Sequence, residues 1–273
     1  MRTELVSIAT ATTPLDGLFY APQEHPASDA AMLMHGNGMN FYCGALRFLP
    51  AHLLGRGLAC LAYNRHGHDT VSAATRRAQG NAFQTVAEAI ADNERAAEYL
   101  AGRGFGRPAV IGHSNGGMLA ARYVADHPET PALVLLSAHC GGTQMLPRSS
   151  AQGLLAGDRL AEISEEAHAL EDAGRGAELM LLPGWFYVTT ASSFVDMESN
   201  LPDTVGLAAE ISCPVLYLRG DQEDRDLYPA EEFAERSPGP VHVQILPDCD
   251  HFYTGHEQLV GELVADWLAS VLR

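Results

Sequence analysis

The sequence contains no apolar run of 18 or more residues, so a membrane-spanning helix is not expected. Basic residues are scarce, with 17 Lys and Arg against 34 Asp and Glu, a formal net charge of -17. That balance argues against nucleic acid, whose binding needs cationic surface to displace counterions. It also disfavours anionic membranes and strongly anionic partners. The N-terminus lacks an apolar stretch followed by a small-residue cleavage site, and Glu4 and Asp16 interrupt it. Cysteine is sparse, odd in number and scattered, at Cys43, Cys60, Cys140, Cys213 and Cys249. Such a set gives neither a disulfide framework nor a close metal-ligand pair. A cytoplasmic location and no metal are therefore the expectations. A dinucleotide-binding turn is missing too. Gly102-Arg103-Gly104-Phe105-Gly106 follows a helical pattern instead of a strand, so no cofactor is expected.

What remains is an ordinary globular composition, 47% hydrophobic and 19% charged over 273 residues. This is enough for one large core, with or without a small insertion. A short strand pair is expected around Glu4–Thr10 and Leu18–Tyr20. Continuous apolar runs follow at 30–34, 58–63, 108–111, 133–136 and 215–218, and a further strand is expected at 241–246. Runs apolar on both faces suit a mostly parallel sheet covered by helices. Helical spacing lies between them at 46–54, 86–100, 115–126, 230–235 and 257–272. In the last of these, Trp267 belongs to the core face. Alternating strands and helices indicate an open α/β fold.

The interval from His139 to Cys213 breaks that rhythm and is too long for an ordinary crossover. It reads as a helical cap, with one helix at 160–170 and further helical material around Trp185-Phe186-Tyr187. The expected organisation is a core over 1–138 and 213–273, with the cap at 139–212.

The richest motif is Gly112-His113-Ser114-Asn115-Gly116, between an apolar strand and a helical segment. Strand, tight turn, serine and helix make the context of a nucleophile elbow. Gly112 and Gly116 let neighbouring chain approach closely. The helix N-terminus favours developing negative charge. Ser114 is thus the candidate nucleophile, and His113 is expected to pack beside it. The general base is expected late in the chain. His251 follows the last strand in Pro247-Asp248-Cys249-Asp250-His251-Phe252 and can reach Ser114 across the sheet's carboxyl edge. His256 is the weaker rival, and His242, inside the strand, reads as structural.

A carboxylate must orient that histidine, and Asp221, Glu223 and Asp224 follow the penultimate strand. Asp221 sits close enough to the strand end to close the turn. Glu223 and Asp224 both remain candidates, with Asp226 more distant. His35-Gly36-Asn37-Gly38 follows an earlier strand and can place a backbone N–H beside Ser114. Asn37 is the first choice for that oxyanion donor and Gly38 the second, with Asn115 supplying the other N–H. His139, Trp185 and Tyr187 are candidate pocket residues. Phe186 and Phe194 could line the pocket or hold the cap down.

These pieces, with Asn64-Arg65-His66-Gly67-His68 and Arg219-Gly220-Asp221-Gln222-Glu223-Asp224, resemble the α/β-hydrolase superfamily over nearly the whole chain except the cap. The resemblance implies an α/β-hydrolase fold and a serine esterase-like branch. It places the acid three residues after Gly220, at Glu223, where aspartate is more usual. Asp224 fits if the loop is one residue longer. The arginine-glycine turn after the third core strand is usually structural in that family. The expected activity is hydrolysis of a small or medium carboxylic ester, lactone or thioester through an acyl-enzyme. Acyl transfer, amide or C–C hydrolysis on the same fold, and a non-catalytic binding protein are the alternatives. The expected partner is a small acyl substrate, and self-association into a homo-oligomer is left open.

Overall fold

The computed structural model describes residues 2–23, 25–72, 76–184 and 187–272. The chain opens with β1 (Arg2–Ile8) and β2 (Leu15–Ala21), an antiparallel pair. It continues through β3 (Ala30–Met34), α1 (Ala45–Gly55), β4 (Ala59–Tyr63) and α2 (Val86–Gly102). Then come β5 (Ala109–His113), α3 (Asn115–Asp126) and β6 (Leu133–Leu136). After an excursion, β9 (Val215–Gly220), α8 (Ala230–Arg236), β10 (Val241–Leu246) and α9 (Glu257–Val271) complete the core. The eight strands are ordered β1-β2-β4-β3-β5-β6-β9-β10, parallel from β4 through β10.

Period-two alternation explains the two helix layers. Met32, Met34, Val110, Leu133, Leu135 and Tyr217 point to the side covered by α2, α3 and α8. Leu33, Ile111, Val134, Leu136, Leu216 and Leu218 point to the other side, where α1 and α9 pack together. Both faces are covered, so β3, β4, β5, β6 and β9 are buried throughout. At the sheet edge, β10 differs from its expected double burial. Only Leu246 is fully buried there, and His242 faces solvent. Trp267 packs partly buried against the α1/α9 side.

β4 lies on one side of β3 and β5 on the other. The strand order therefore reverses at β3, and the loops after β3 and β5 part to opposite sides. Such a switch point leaves a crevice at the carboxyl edge, the usual ligand position in open α/β sheets.

The excursion between β6 and β9 contains α4 (Met145–Ala151), α5 (Leu160–Asp172) and the antiparallel ribbon β7 (Leu179–Leu181) and β8 (Val188–Thr190). α6 (Ala191–Asn200) and the short α7 (Thr204–Leu207) follow. The helices form a cap insertion. The segment around 185–187, where helical material is expected, lies between β7 and β8. Residues 185 and 186 themselves lie outside the described residues. Thr190 N–H donates to Ala82 O (2.7 Å) in the loop before α2, and Val86 N–H at the start of α2 donates to Asp196 Oδ2 (2.6 Å), which fastens the cap to this part of the core. The ends of the excursion meet where Gly141 passes Pro202; a Cβ on Gly141 would stand 1.8 Å from the Pro202 carbonyl oxygen. α7 packs against α3 and α8.

One loop anchor is pH-sensitive. His66 donates from its backbone N–H and Nδ1 to the Asp92 carboxylate, both at 2.7 Å, and its Nε2 faces Thr13 O at 2.7 Å. The Asp92 hydrogen bond outweighs burial and raises the His66 pKa above 6.5. A raised folded pKa adds stability that is fully present below about 6.5 and lost as pH rises through the folded value. His66→Gln is therefore expected to destabilise the protein more near pH 5.5 than near pH 9, read by urea unfolding. Equal losses at both pH values would contradict this.

Among the described residues, no helix is long and apolar enough to cross a membrane.

Candidate active site

Ser114 sits between β5 and α3 with φ 58° and ψ -121°, a backbone conformation that L residues rarely adopt. The turn holds because the glycines two positions to either side carry no side chain. A Cβ on Gly112 would lie 2.2 Å from Gly116 O, and one on Gly116 would lie 2.2 Å from Met34 O. Ser114 N–H donates to Leu136 O (2.9 Å), which ties the elbow to β6. The side chain is thereby held at the carboxyl edge of the sheet.

Three expected residues converge. His251 Nε2 lies 3.0 Å from Ser114 Oγ, and His251 Nδ1 lies 2.6 Å from Glu223 Oε1. The other oxygen of Glu223 accepts from Ser137 Oγ (2.6 Å) and Gly220 N–H (2.8 Å). Ser137 Oγ also meets the Tyr253 hydroxyl at 2.8 Å, and that hydroxyl donates to Leu218 O (3.2 Å). Glu223 is almost fully buried, with 3% of its side chain exposed. Its rotamer is thus locked before it meets the imidazole.

Asp224, the alternative acid, does not reach His251. Its Oδ1 accepts the backbone N–H groups of Asp226 and Leu227, and its Oδ2 accepts from Gln152 in the cap. It closes its own turn, which fixes the loop at the shorter length. Asp221 accepts from Cys249 N–H (3.3 Å) and joins the two loops that carry Glu223 and His251. His256 precedes α9, with Nδ1 against Thr254 O, away from Ser114.

The loop after β3 comes alongside the elbow. A Cβ on Gly36 would lie 3.2 Å from the Ser114 Cβ. Asn37 and Asn115 both line the cavity that holds Ser114 and His251. Asn115 opens α3, where no preceding turn supplies an acceptor for its N–H. Gly38, the second-choice donor, is committed elsewhere. Its N–H donates to Asn81 Oδ1 at 3.2 Å. Behind this loop, the buried Arg65 donates from Nη2 to His35 O (2.7 Å), and its backbone N–H donates to His35 Nε2 (3.1 Å). The arginine-glycine turn thus braces the His35–Gly38 loop.

The other two histidines near the site are neutral. His113 Nε2–H donates to the His251 carbonyl at 2.9 Å, which fixes the backbone of the loop. Burial, then the nearby His251, push the pKa of His113 down to about 3. Burial has the same leading role at His139, also pushed down to about 3, with His251 and His113 adding to it. His139 stacks near Tyr228 and lines the cavity.

The cavity measures about 200 Å3. Its walls are mainly apolar, from Met39 and Met118 in the core, Met145, Leu154 and Leu155 in the cap, and Phe252 beside His251. Tyr187, just before β8 in the cap, also lines it. Trp185, also expected in the pocket, lies outside the described residues. Phe194 is fully buried in the core and holds the cap down. The methionine lining, Ser137, Tyr253 and Asn81 are not expected from the sequence pattern. Tyr253 alone carried a signal, since it lies two residues after His251. Among the described residues, no three His, Cys, Asp or Glu side chains form a group able to hold a metal.

The family model described as the alpha/beta hydrolase family matches residues 31–264, most of the chain and all of these site residues. The chain belongs to that family. A comparison with curated proteins found no match. Solved structures share the fold. Est1E from Butyrivibrio proteoclasticus, with ferulic acid bound, superposes at TM-score 0.73 with 20% identity, covering 98% of this chain and 99% of that chain. A highly thermostable carboxyl esterase from Bacillus coagulans gives 0.75 with 14% identity, covering 100% of each. Proline iminopeptidase from Mycobacterium smegmatis gives 0.64 with 17% identity, covering 98% of each. Esterases and a peptidase thus share this architecture, so the fold leaves the scissile bond to be argued from the site.

Proposed function

We propose that this alpha/beta hydrolase cleaves small to medium carboxylic esters through an acyl-enzyme on Ser114. The observation that carries this reading is the unbroken chain from Ser114 Oγ through His251 to Glu223, at 3.0 and 2.6 Å, inside a mainly apolar cavity. Glu223 accepts the Nδ1 proton of His251 and leaves the Nε2 lone pair facing the serine hydroxyl. Ser114 Oγ then attacks the ester carbonyl carbon while Nε2 takes its proton. The oxyanion is held by the backbone N–H groups of Asn37 and Asn115, each worth about 3 kcal/mol in sites of this kind. Collapse expels the alcohol, which takes the proton from His251. Water, activated by the same imidazole, then releases the acid. Lactones and thioesters present the same carbonyl chemistry.

The cavity, about 200 Å3, falls below the usual range of ligand pockets, about 300–1,000 Å3, so short acyl chains are favoured. Turnover of p-nitrophenyl esters from acetate to laurate tests this. The expected result is a maximum of kcat/KM at short chains and at least a tenfold loss for laurate. No ester hydrolysed by well-folded protein, or a maximum at laurate, would contradict it.

A further inference from the structure

Tyr187 stands at a junction that acyl transfer does not explain. Its side chain comes from the cap, yet its hydroxyl oxygen is held by the core. It accepts from Asn81 Nδ2 at 2.7 Å and from Asn37 Nδ2 at 3.0 Å. The Asn81 amide is oriented by its other end, because its Oδ1 accepts the Gly38 N–H. The amino group of Asn81 must therefore face the phenol, which acts as acceptor there.

A phenol oxygen that accepts two amide donors still carries one proton. Among the described residues, that proton has no acceptor. Tyr187 also lines two neighbouring spaces, the cavity of about 200 Å3 around Ser114 and a smaller one of about 40 Å3. Asn37, Asn115 and Met118 border both spaces with it. The hydroxyl thus stands beside the Asn37 amide at the edge of the substrate cavity. Two donated hydrogen bonds polarise the O–H and make it a stronger donor. Burial raises the Tyr187 pKa, which keeps the phenol protonated.

We propose that Tyr187 donates a hydrogen bond from its hydroxyl to an acceptor oxygen of the substrate, selecting esters that carry a second oxygen near the scissile carbonyl over purely aliphatic ones. This rests on the ester-hydrolase reading of the Ser114 site. The acceptor is an ether, carbonyl or hydroxyl oxygen in the acyl or the alcohol part. An aliphatic substrate leaves the polarised donor unpaired in a mainly apolar cavity, a loss that the oxygen-bearing substrate avoids.

The test compares isosteric pairs. The first series sets p-nitrophenyl hexanoate against its analogues with an ether oxygen in place of the third, fourth or fifth carbon. The second sets butyl acetate against 2-methoxyethyl acetate. Rates are normalised to hydroxide-catalysed hydrolysis of each ester. The wild type is expected to prefer one oxygen-bearing ester by about tenfold in kcat/KM. Tyr187→Phe is expected to lose most of that preference, falling further on the oxygen-bearing member than on the aliphatic one. No preference in either series would overturn the proposal. Equal losses on both members of each pair would also overturn it, because Tyr187 would then only brace Asn37. Fluorophosphonate labelling counts competent Ser114 sites in both proteins. Should no ester turn over, calorimetry with the matching amide analogues reads the same preference from binding, which separates failure of this proposal from failure of the ester reading.

Discussion

Ser114→Ala is expected to lower kcat/KM on a short-chain ester by roughly 10⁵-fold while leaving the fold intact. The magnitude follows from systems in which nucleophile and base act as one unit, so that loss of either removes nearly the whole effect. The residual rate comes from the oxyanion donors and substrate positioning. The substitution keeps the Cβ and the strained backbone at φ 58°, so Gly112 and Gly116 continue to allow the same close crossing. Steady-state kinetics and a thermal melt check both halves. Turnover within tenfold of wild type in folded Ser114→Ala protein would remove the serine from the mechanism.

The second large effect separates two adjacent carboxylates. Glu223→Gln is expected to lower kcat/KM by roughly 10³- to 10⁴-fold, as loss of the orienting carboxylate does in comparable triads. Both oxygens of Glu223 face hydrogen-bond donors, namely His251 Nδ1 on one side and Ser137 Oγ with Gly220 N–H on the other. A glutamine must turn its NH2 group toward one of them. It either faces the imidazole, favouring the wrong tautomer, or breaks the brace that locks the rotamer. Asp224→Asn is expected to change kcat/KM by less than about threefold, because asparagine keeps the acceptor that closes the Asp226 and Leu227 turn. The opposite ranking would move the acid to position 224.

These two residues show where the sequence was and was not legible. The elbow could be read because its geometry demands particular residues in a row, with glycines where two backbones cross. His251 could be read because the loop after the last strand opens on the same carboxyl edge as the elbow. The choice of acid depended on a single residue of loop length, which no periodicity reports. The side-chain bonds of Asp224 to its own turn settle that length in space. Gly38 was misassigned for a related reason. Its partner, Asn81, lies 43 positions away in an irregular loop. The core sheet was legible from runs buried on both faces, while β10, where His242 and Gln244 interrupt the apolar residues, sits at an edge. The cap ribbon went unread because three-residue strands give alternation too little length to register. Tyr187, the cap residue bound to the His35–Gly38 loop, was legible as a pocket aromatic but not as a hydroxyl with two amide donors.

The proposed chemistry turns on Ser114 as the nucleophile of an ester hydrolase. Its most direct test is reaction of the native protein with a fluorophosphonate, followed by mass spectrometry of its peptides. One adduct per chain is expected, located on Ser114, with ester turnover lost in proportion to labelling. Folded protein that keeps full turnover after exposure, with Ser114 unmodified, would contradict it.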